Sequence, residues 1–588
     1  MNNASPQGRF DMNVIYRPAN ALALSEPEIP DLAPGSRIIP DGSVHADGAR
    51  PVPLDIEILQ DVAIPLRDGL RLYGDVYRGT GTTARPAILI YTVYSKQGGW
   101  WNTTHYAANF GVPKENLSGL QAFEALDPAY WCAHGYALVV VDARGTGHSE
   151  GDMVFVGEAA GRDVYDTVEW IADQEWCTGK VGMAGNSYLA MVQWAAAALQ
   201  PPHLSAIAPW EGLTDVYRDA ISRGGIPDTA FHDEDIIGHL YGTARFEDVT
   251  AMLRRHPTTN AYWADKRADL TAVDIPAYVV SSWSNGIHTR GTQQAFQELG
   301  SDRKWLRVHD TMEWHDIADP ESIADLRRFF DRYLKDEDNS WESTPPVRYA
   351  VLDPGHDTSV HRTAATWPPA PLEPTVLYLD AASGQLTRDK PSAEASISYS
   401  ATDSEATARF SFTAEQDTEL LGPLNVRFWA ETSEGDDLDL FAAVYKVDSA
   451  GTPLWQNVMP GLKEMALQME KDGQLISHLA YTGPVGRLRA SHRALDPVRS
   501  TMLEPYLSHE LEEPVQPGTP IELDLGLWPT GMTVHAGETL ILEIAGSPAG
   551  PFSASQPGRA PVATRNAGTH TLHTGGRFSS RVFLPFVK

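Results

Sequence analysis

Between Leu54 and Lys335 the apolar positions fall into two kinds of run that take turns along the chain. Short unbroken stretches such as PAILIYTVY (86–94), YALVVVDARGTG (136–147) and LSAIAPW (204–210) end in polar or glycine-rich turns. That is the pattern of parallel strands covered on both faces. DVYDTVEWIADQ (163–174) has a helical period, and KVGMAGNS (180–187) is a strand running into a helix that begins near Tyr188. IPAYVVSSW (275–283) and KWLRV (304–308) continue the series up to the helix DPESIADLRRFFDRYLK, with Asp319 as cap and Pro320 in its first turn. Strand, helix, strand, repeated this often, predicts a parallel α/β sheet. Ahead of it, LDIEILQDVAIPL and LRLYGDVYRG flank an Arg67-Asp68-Gly69 turn and predict an antiparallel opening.

Around this core the pattern breaks. Residues 1–53 carry prolines at 6, 18, 27, 30, 34, 40, 51 and 53 with little periodicity and are expected to form an extended arm. The α/β core is expected over 54–212 and 273–344, split by a helical cap at 213–272 that is too long for a sheet crossover. A second insertion, 97–130, holds Trp100, Trp101, Tyr106 and Phe110, and both insertions are expected to overhang a site. Seven prolines at 345–374 read as a linker. From 375 to 588 the period becomes two, as in VRFWAET, LDLFAAVYKV and TLILEIAG, which predicts a β-sandwich.

Length and charge narrow the function. A chain of 588 residues exceeds one hydrophobic core. The net charge of −31 disfavours binding to nucleic acid or anionic membrane. Cys132 and Cys177 are the only cysteines, too few for a disulfide framework or a cysteine metal cluster. With no HExxH, no GxGxxG, no signal-like start and no long apolar run, a cytoplasmic protein without metal or cofactor is expected.

Chemistry enters at Gly185-Asn186-Ser187-Tyr188-Leu189-Ala190, on a strand-to-helix junction. A nucleophile elbow holds a serine on a strained turn between small neighbours. Gly185 supplies one, but Leu189 stands where a second glycine is usual, and a serine opening a helix is also an ordinary cap. Its place after the third buried strand of the series favours the nucleophile.

These residues, with DARGTGHSEG (142–151), WIADQEWCTGKVGMAG (170–185), IAPWEGLTDVYRD (207–219), GRLRASHRALD (486–496) and IELDLGLWPTGMTVHAGETLILEIAGS (521–547), resemble the cocaine-esterase and X-Pro dipeptidyl-peptidase family of serine hydrolases. The resemblance implies an α/β-hydrolase fold with a helical cap after the sixth strand, then a galactose-binding-like jelly roll. It implies Ser187 as nucleophile, with the Tyr188 backbone N–H and the Tyr94 hydroxyl as oxyanion donors. The family's triad aspartate falls on Asn285, an amide. Three readings follow: an amide-containing triad, an acid supplied by Glu211 or Asp215, or a weakened enzyme. If Asn285 faces the imidazole with no other acid at work, Asn285→Asp is expected to raise turnover. The histidine is expected at His315, with His309 as the alternative; His288 reads as supporting or structural.

The expected activity is hydrolysis of a small ester or amide through an acyl-enzyme on Ser187, an ester being favoured. The alternatives are an α-amino-acid ester hydrolase or X-Pro dipeptidyl-peptidase-like aminopeptidase, in which Glu211 or another carboxylate holds an ammonium group, and a silent binding protein. A homo-oligomer is possible on this sequence.

Overall fold

The computed structural model describes residues 13–25, 29–97, 103–369, 373–552 and 562–587. Trp100 and Trp101 of the second insertion, and Pro371, lie outside them.

One sheet carries the N-terminal half of the chain. Its strands are β1 (Gly35–Ile39), β2 (Ile56–Pro65), β3 (Arg71–Gly79), β4 (Arg85–Thr92), β5 (Ala137–Asp142), β6 (Cys177–Asn186), β7 (Leu204–Trp210), β8 (Ala277–Ser282), β9 (Lys304–His309), β10 (Val347–Asp353) and β11 (Thr358–Ala364). They pair in the order β1-β2-β3-β5-β4-β6-β7-β8-β9-β10-β11. β1 to β3 are antiparallel, β5 through β10 are mutually parallel, and β11 returns antiparallel. The central strands read as unbroken apolar runs because helices cover both faces, so every residue of β5, β7's last five and β8 is buried. α1 (Glu158–Ala172), α2 (Tyr188–Ala198), α3 (Thr289–Glu298) and α4 (Pro320–Leu334) supply that cover. Asp319 caps α4 through the N–H groups of Glu321 and Ser322, as its sequence predicts.

Three segments differ from expectation. The stretch 345–374 is not a linker throughout, because VRYAVLD and TSVHRTA inside it form β10 and β11. Pro345, Pro346 and Pro354 flank β10, where they cost no ladder hydrogen bond, and a proline count conceals that. The arm is likewise partly structured: β1 lies on the edge of β2, and Tyr16–Pro18 pairs with Arg245–Glu247. The insertion 213–272 is made of short helical turns around that strand, not of long helices.

Past residue 375 the chain is a C-terminal β domain. Its longest strands, β12 (Thr418–Thr432) and β13 (Ile521–Val534), pair antiparallel over Thr418–Ala430 with a register shift between Gly422 and Leu424. Leu424, Phe428, Leu525 and Leu542 share its own apolar core. A pairing of Leu352 in β10 with Met532 in β13 joins the two halves.

Candidate active site

Ser187 sits at the C-terminal end of β6, where it opens α2 with φ 56° and ψ −118°. For a residue with a side chain this conformation costs on the order of 1–3 kcal/mol and is held by its surroundings. Its N–H donates to the Trp210 carbonyl at 3.2 Å. Gly185 explains why the second glycine is dispensable: a Cβ on it would lie 2.6 Å from Leu189 Cβ, so the space that Gly185 vacates is filled by Leu189. The Tyr188 N–H, at the first helical position, has no partner within the helix.

The imidazole that reaches Ser187 is His288, with Nε2 3.0 Å from Oγ. Asn285 is what presents it. The Asn285 Oδ1 accepts from the N–H groups of Ile287 at 2.9 Å and His288 at 3.0 Å, a turn that launches α3. Its Nδ2 donates to Glu313 Oε1 at 2.9 Å. The amide expected to stand beside the imidazole as the triad acid therefore meets the backbone of His288 instead of its ring. Asn285→Asp would keep the turn but place a carboxylate against Glu313, whose own carboxyl is pushed well above the usual range by burial and by Glu211. We expect this variant to give no gain in turnover and to lose about 1–3 kcal/mol of stability, read by urea unfolding; a stable variant with raised turnover would contradict this geometry.

His309 and His315, the expected histidines, lie elsewhere. His309 ends β9 with Nε2 2.7 Å from Glu211 Oε1 and 3.6 Å from Asp316 Oδ2. His315 lies on the one-turn helix Glu313–Asp316, near Asp310, Asp316 and Asp319, where burial lowers its pKa. Among the described residues, His288 is the histidine hydrogen-bonded to Ser187. Glu211 is fully buried, and its Oε2 accepts from Ser282 at 3.1 Å. Asp215 accepts from the N–H and guanidinium of Arg218 at 3.0 and 2.9 Å and caps Val216–Ile221. Neither acid meets His288, whose Nδ1 accepts the Leu213 N–H at 3.1 Å. That donor fixes the hydrogen of the neutral ring on Nε2. Burial pushes His288 down to about 3, so the ring is neutral at pH 7.

The Tyr94 hydroxyl is bonded to Ser187 and to Glu124. Burial, then Glu124, raises the phenol well above its ordinary value, so it stays a donor. Glu124 has no counterpart in the sequence reading. It stands in irregular chain at φ 59°, with Oε1 accepting from Asn186 Nδ2 and Trp314 Nε1, each at 3.0 Å. Burial pushes its carboxyl up to about 8. No sequence pattern marks it, since the contact comes from the loop's path alone.

Ser187, Tyr94 and His288 open into one cavity. Its wall comes mainly from the 213–236 insertion, with Leu213, Val216, Ile221 and Ile236. Tyr106 and Phe110 pack behind the site instead. The Tyr106 hydroxyl accepts the Glu124 N–H at 2.6 Å, and Phe110 stacks on Trp314 with ring centres 4.1 Å apart. Away from the cavity, Asp353, His356 and His535 bring three metal-type ligand atoms within 4.8 Å of one another. The Lys446 ammonium already occupies that cluster, 2.9 Å from Asp353 and 2.8 Å from Glu538. No helix among the described residues is long and apolar enough to cross a membrane.

Residues 68–240 match the X-Pro dipeptidyl-peptidase S15 family, and residues 339–583 match the X-Pro dipeptidyl-peptidase C-terminal non-catalytic domain. Cocaine esterase of a Rhodococcus species is 36% identical over 163 residues, which is 27% of this chain and 25% of that protein. A putative serine esterase of Mycobacterium bovis is 25% identical over an alignment of 635 positions, covering 89% of this chain and 95% of the relative. An α-amino acid ester hydrolase shares the fold at TM-score 0.66 and 17% identity, over 95% of this chain and all of that one. The crystal structure of a CocE/NonD family hydrolase from Staphylococcus aureus superposes with TM-score 0.84 at 30% identity, over 95% of this chain and 98% of that one. With this match along nearly its whole length, a hydrolase fold followed by a C-terminal β domain, and a serine on a strained elbow, the chain belongs to the CocE/NonD family of hydrolases and is a serine hydrolase of esterase-like kind.

Proposed function

We propose that the protein hydrolyses small carboxylic esters through an acyl-enzyme on Ser187. The observation that carries this is the joint placement of His288 and Tyr94 on the Ser187 hydroxyl at the floor of a mainly apolar cavity. The Tyr188 N–H and the Tyr94 hydroxyl are the oxyanion donors in this reading. Covalent labelling of Ser187 by a fluorophosphonate, lost in Ser187→Ala, tests it. The jelly-roll description of the C-terminal domain, and of the 213–272 insertion as a cap, belongs to the same proposal. It is supported by the antiparallel pairing of β12 and β13 and by the insertion's share of the cavity wall. An ammonium-recognising aminopeptidase finds less support, because Asp228 is the one carboxylate among the described lining residues and two arginines hold it. A silent binding protein is disfavoured by a strained elbow complete with its imidazole.

His288 is the base of this reading. It takes the Ser187 proton on Nε2 once the Leu213 N–H contact opens and the ring hydrogen moves to Nδ1. A second reading rests on the Tyr94 contacts: the serine proton passes to Tyr94 while Tyr94 gives its own to ionised Glu124. The pH profile separates them. A base that is neutral well above a pKa of about 3 gives a flat kcat/KM across neutral pH, whereas Glu124 must lose its proton, so the rate would climb as pH rises through about 8. We expect the flat profile.

Tyr94→Phe removes one oxyanion donor and should lower kcat ~10²–10³-fold with little change in KM. An effect confined to KM would make Tyr94 a binding residue only.

A further inference from the structure

The catalytic cavity has a polar wall whose charges do not cancel. Asp228 Oδ2 accepts from Arg223 Nη2 at 2.8 Å and from Arg487 Nη1 at 2.9 Å, so one carboxylate stands between two guanidinium groups. Arg223 and Asp228 line the cavity, and Arg487 meets it through Asp228. Against the upward push of burial, the two arginines hold Asp228 down to about 2, so it cannot gain a proton and add to the imbalance at neutral pH. Burial and then repulsion from Arg223 bring Arg487 down to about 10, still charged at pH 7. One positive charge is thus left over at a partly desolvated site of a chain whose net charge is −31. An uncompensated charge away from water is costly, and a ligand anion offsets it.

Two orphaned nitrogens point to the same ligand. Arg223 is anchored by Nη1 to the Gly286 carbonyl at 2.5 Å, two residues before His288, yet its Nε is buried without a hydrogen-bond partner. His232, also in the wall, is 4% exposed, and its Nε2 is buried and unpartnered. The His232 ring is kept neutral by burial, which lowers its pKa to about 4, so it can offer an N–H without adding charge. A guanidinium and a further N–H donor in the wall of one cavity suit the planar two-oxygen acceptor of a carboxylate.

We propose that the physiological substrate is an ester that carries a free carboxylate, seated on Arg223 with His232 as the accessory donor. Phe155, Met191 and Ile236 leave the rest of the cavity suited to an apolar chain between the carboxylate and the scissile bond. The inference rests on the Ser187 cavity being the substrate cavity, but its test does not need turnover.

Titration calorimetry on full-length Ser187→Ala protein, with three ligands, decides it. Monoethyl adipate carries its carboxylate on the acyl side, the butanoyl ester of 3-hydroxypropanoate carries it on the alcohol side, and ethyl hexanoate is neutral. The expected result is that one of the two anionic esters binds ~10-fold or more tightly than the neutral one, and which one assigns the side. Arg223→Gln should erase that preference, and Arg223→Lys should keep part of it. Equal affinity for all three ligands overturns the proposal, and so does a preference that survives Arg223→Gln. The ligand comparison alone decides the matter if the arginine variants do not fold. Labelling of Ser187 in the parent enzyme is read separately, so failure of the hydrolase reading and failure of this one are distinct results.

Discussion

Ser187→Ala should lower kcat/KM for any ester substrate by roughly 10⁴–10⁶, since a nucleophile and its base act as one unit and loss of either removes most of the acceleration. The fold should survive. Ser187 holds φ 56° because its N–H is tied to the Trp210 carbonyl and its own carbonyl accepts from Ala190 and Met191, and none of these bonds uses the hydroxyl. A change in melting temperature of a few degrees at most is expected, together with complete loss of fluorophosphonate labelling. Residual turnover above ~1% of the parent would place the nucleophile elsewhere.

The second large effect belongs to His288. His288→Ala should cost ~10³-fold or more in kcat, because it removes the imidazole 3.0 Å from the nucleophile. His315→Ala, which touches neither Ser187 nor Tyr94, should leave turnover within a few-fold. His309→Ala should act through stability instead. It leaves the buried Glu211 carboxylate without the nitrogen 2.7 Å away, a change worth about 1–3 kcal/mol in unfolding and little in kcat per folded molecule. If His288→Ala is mild while Glu124→Gln is severe, the proton leaves through Tyr94. Severe loss in His315→Ala with normal unfolding would restore the histidine that the family's motif suggests.

The fold is legible in the sequence wherever burial is uniform. Strands β4, β5 and β8 are covered on both faces, so their apolar runs are continuous, and α4 announces itself through Asp319 and Pro320. The nucleophile is legible because Ser187 joins a strand to a helix. Its partners are not, for a physical reason visible at Asn285. An asparagine at that place serves equally as a group facing an imidazole or as an Asx turn, and only the loop's path decides between them. His288 follows as a consequence of that turn and carries no motif of its own. Glu124 and Trp314 meet across 190 positions of sequence, in segments without periodicity. The hairpin β10–β11 was obscured by prolines that flank β10 without entering it.

The bridge between Leu352 and Met532 has a consequence for cooperativity. β9, whose C-terminal end carries His309, is covered on its outer side by β10, and β10 is itself stitched to the C-terminal domain. Trp283, two residues before Asn285, donates to the Ala350 carbonyl of β10 at 2.8 Å and packs so closely on β13 that a Cβ on Gly531 would come within 2.7 Å of its ring. The turn that aims His288 is therefore braced from behind by the second domain. A chain ended at residue 374, after β11, would keep the sheet but leave Trp283 without the β13 wall on which it rests. We expect the two halves to unfold in one calorimetric transition, the C-terminal domain acting as a buttress for the turn that aims His288; two separate transitions would contradict this.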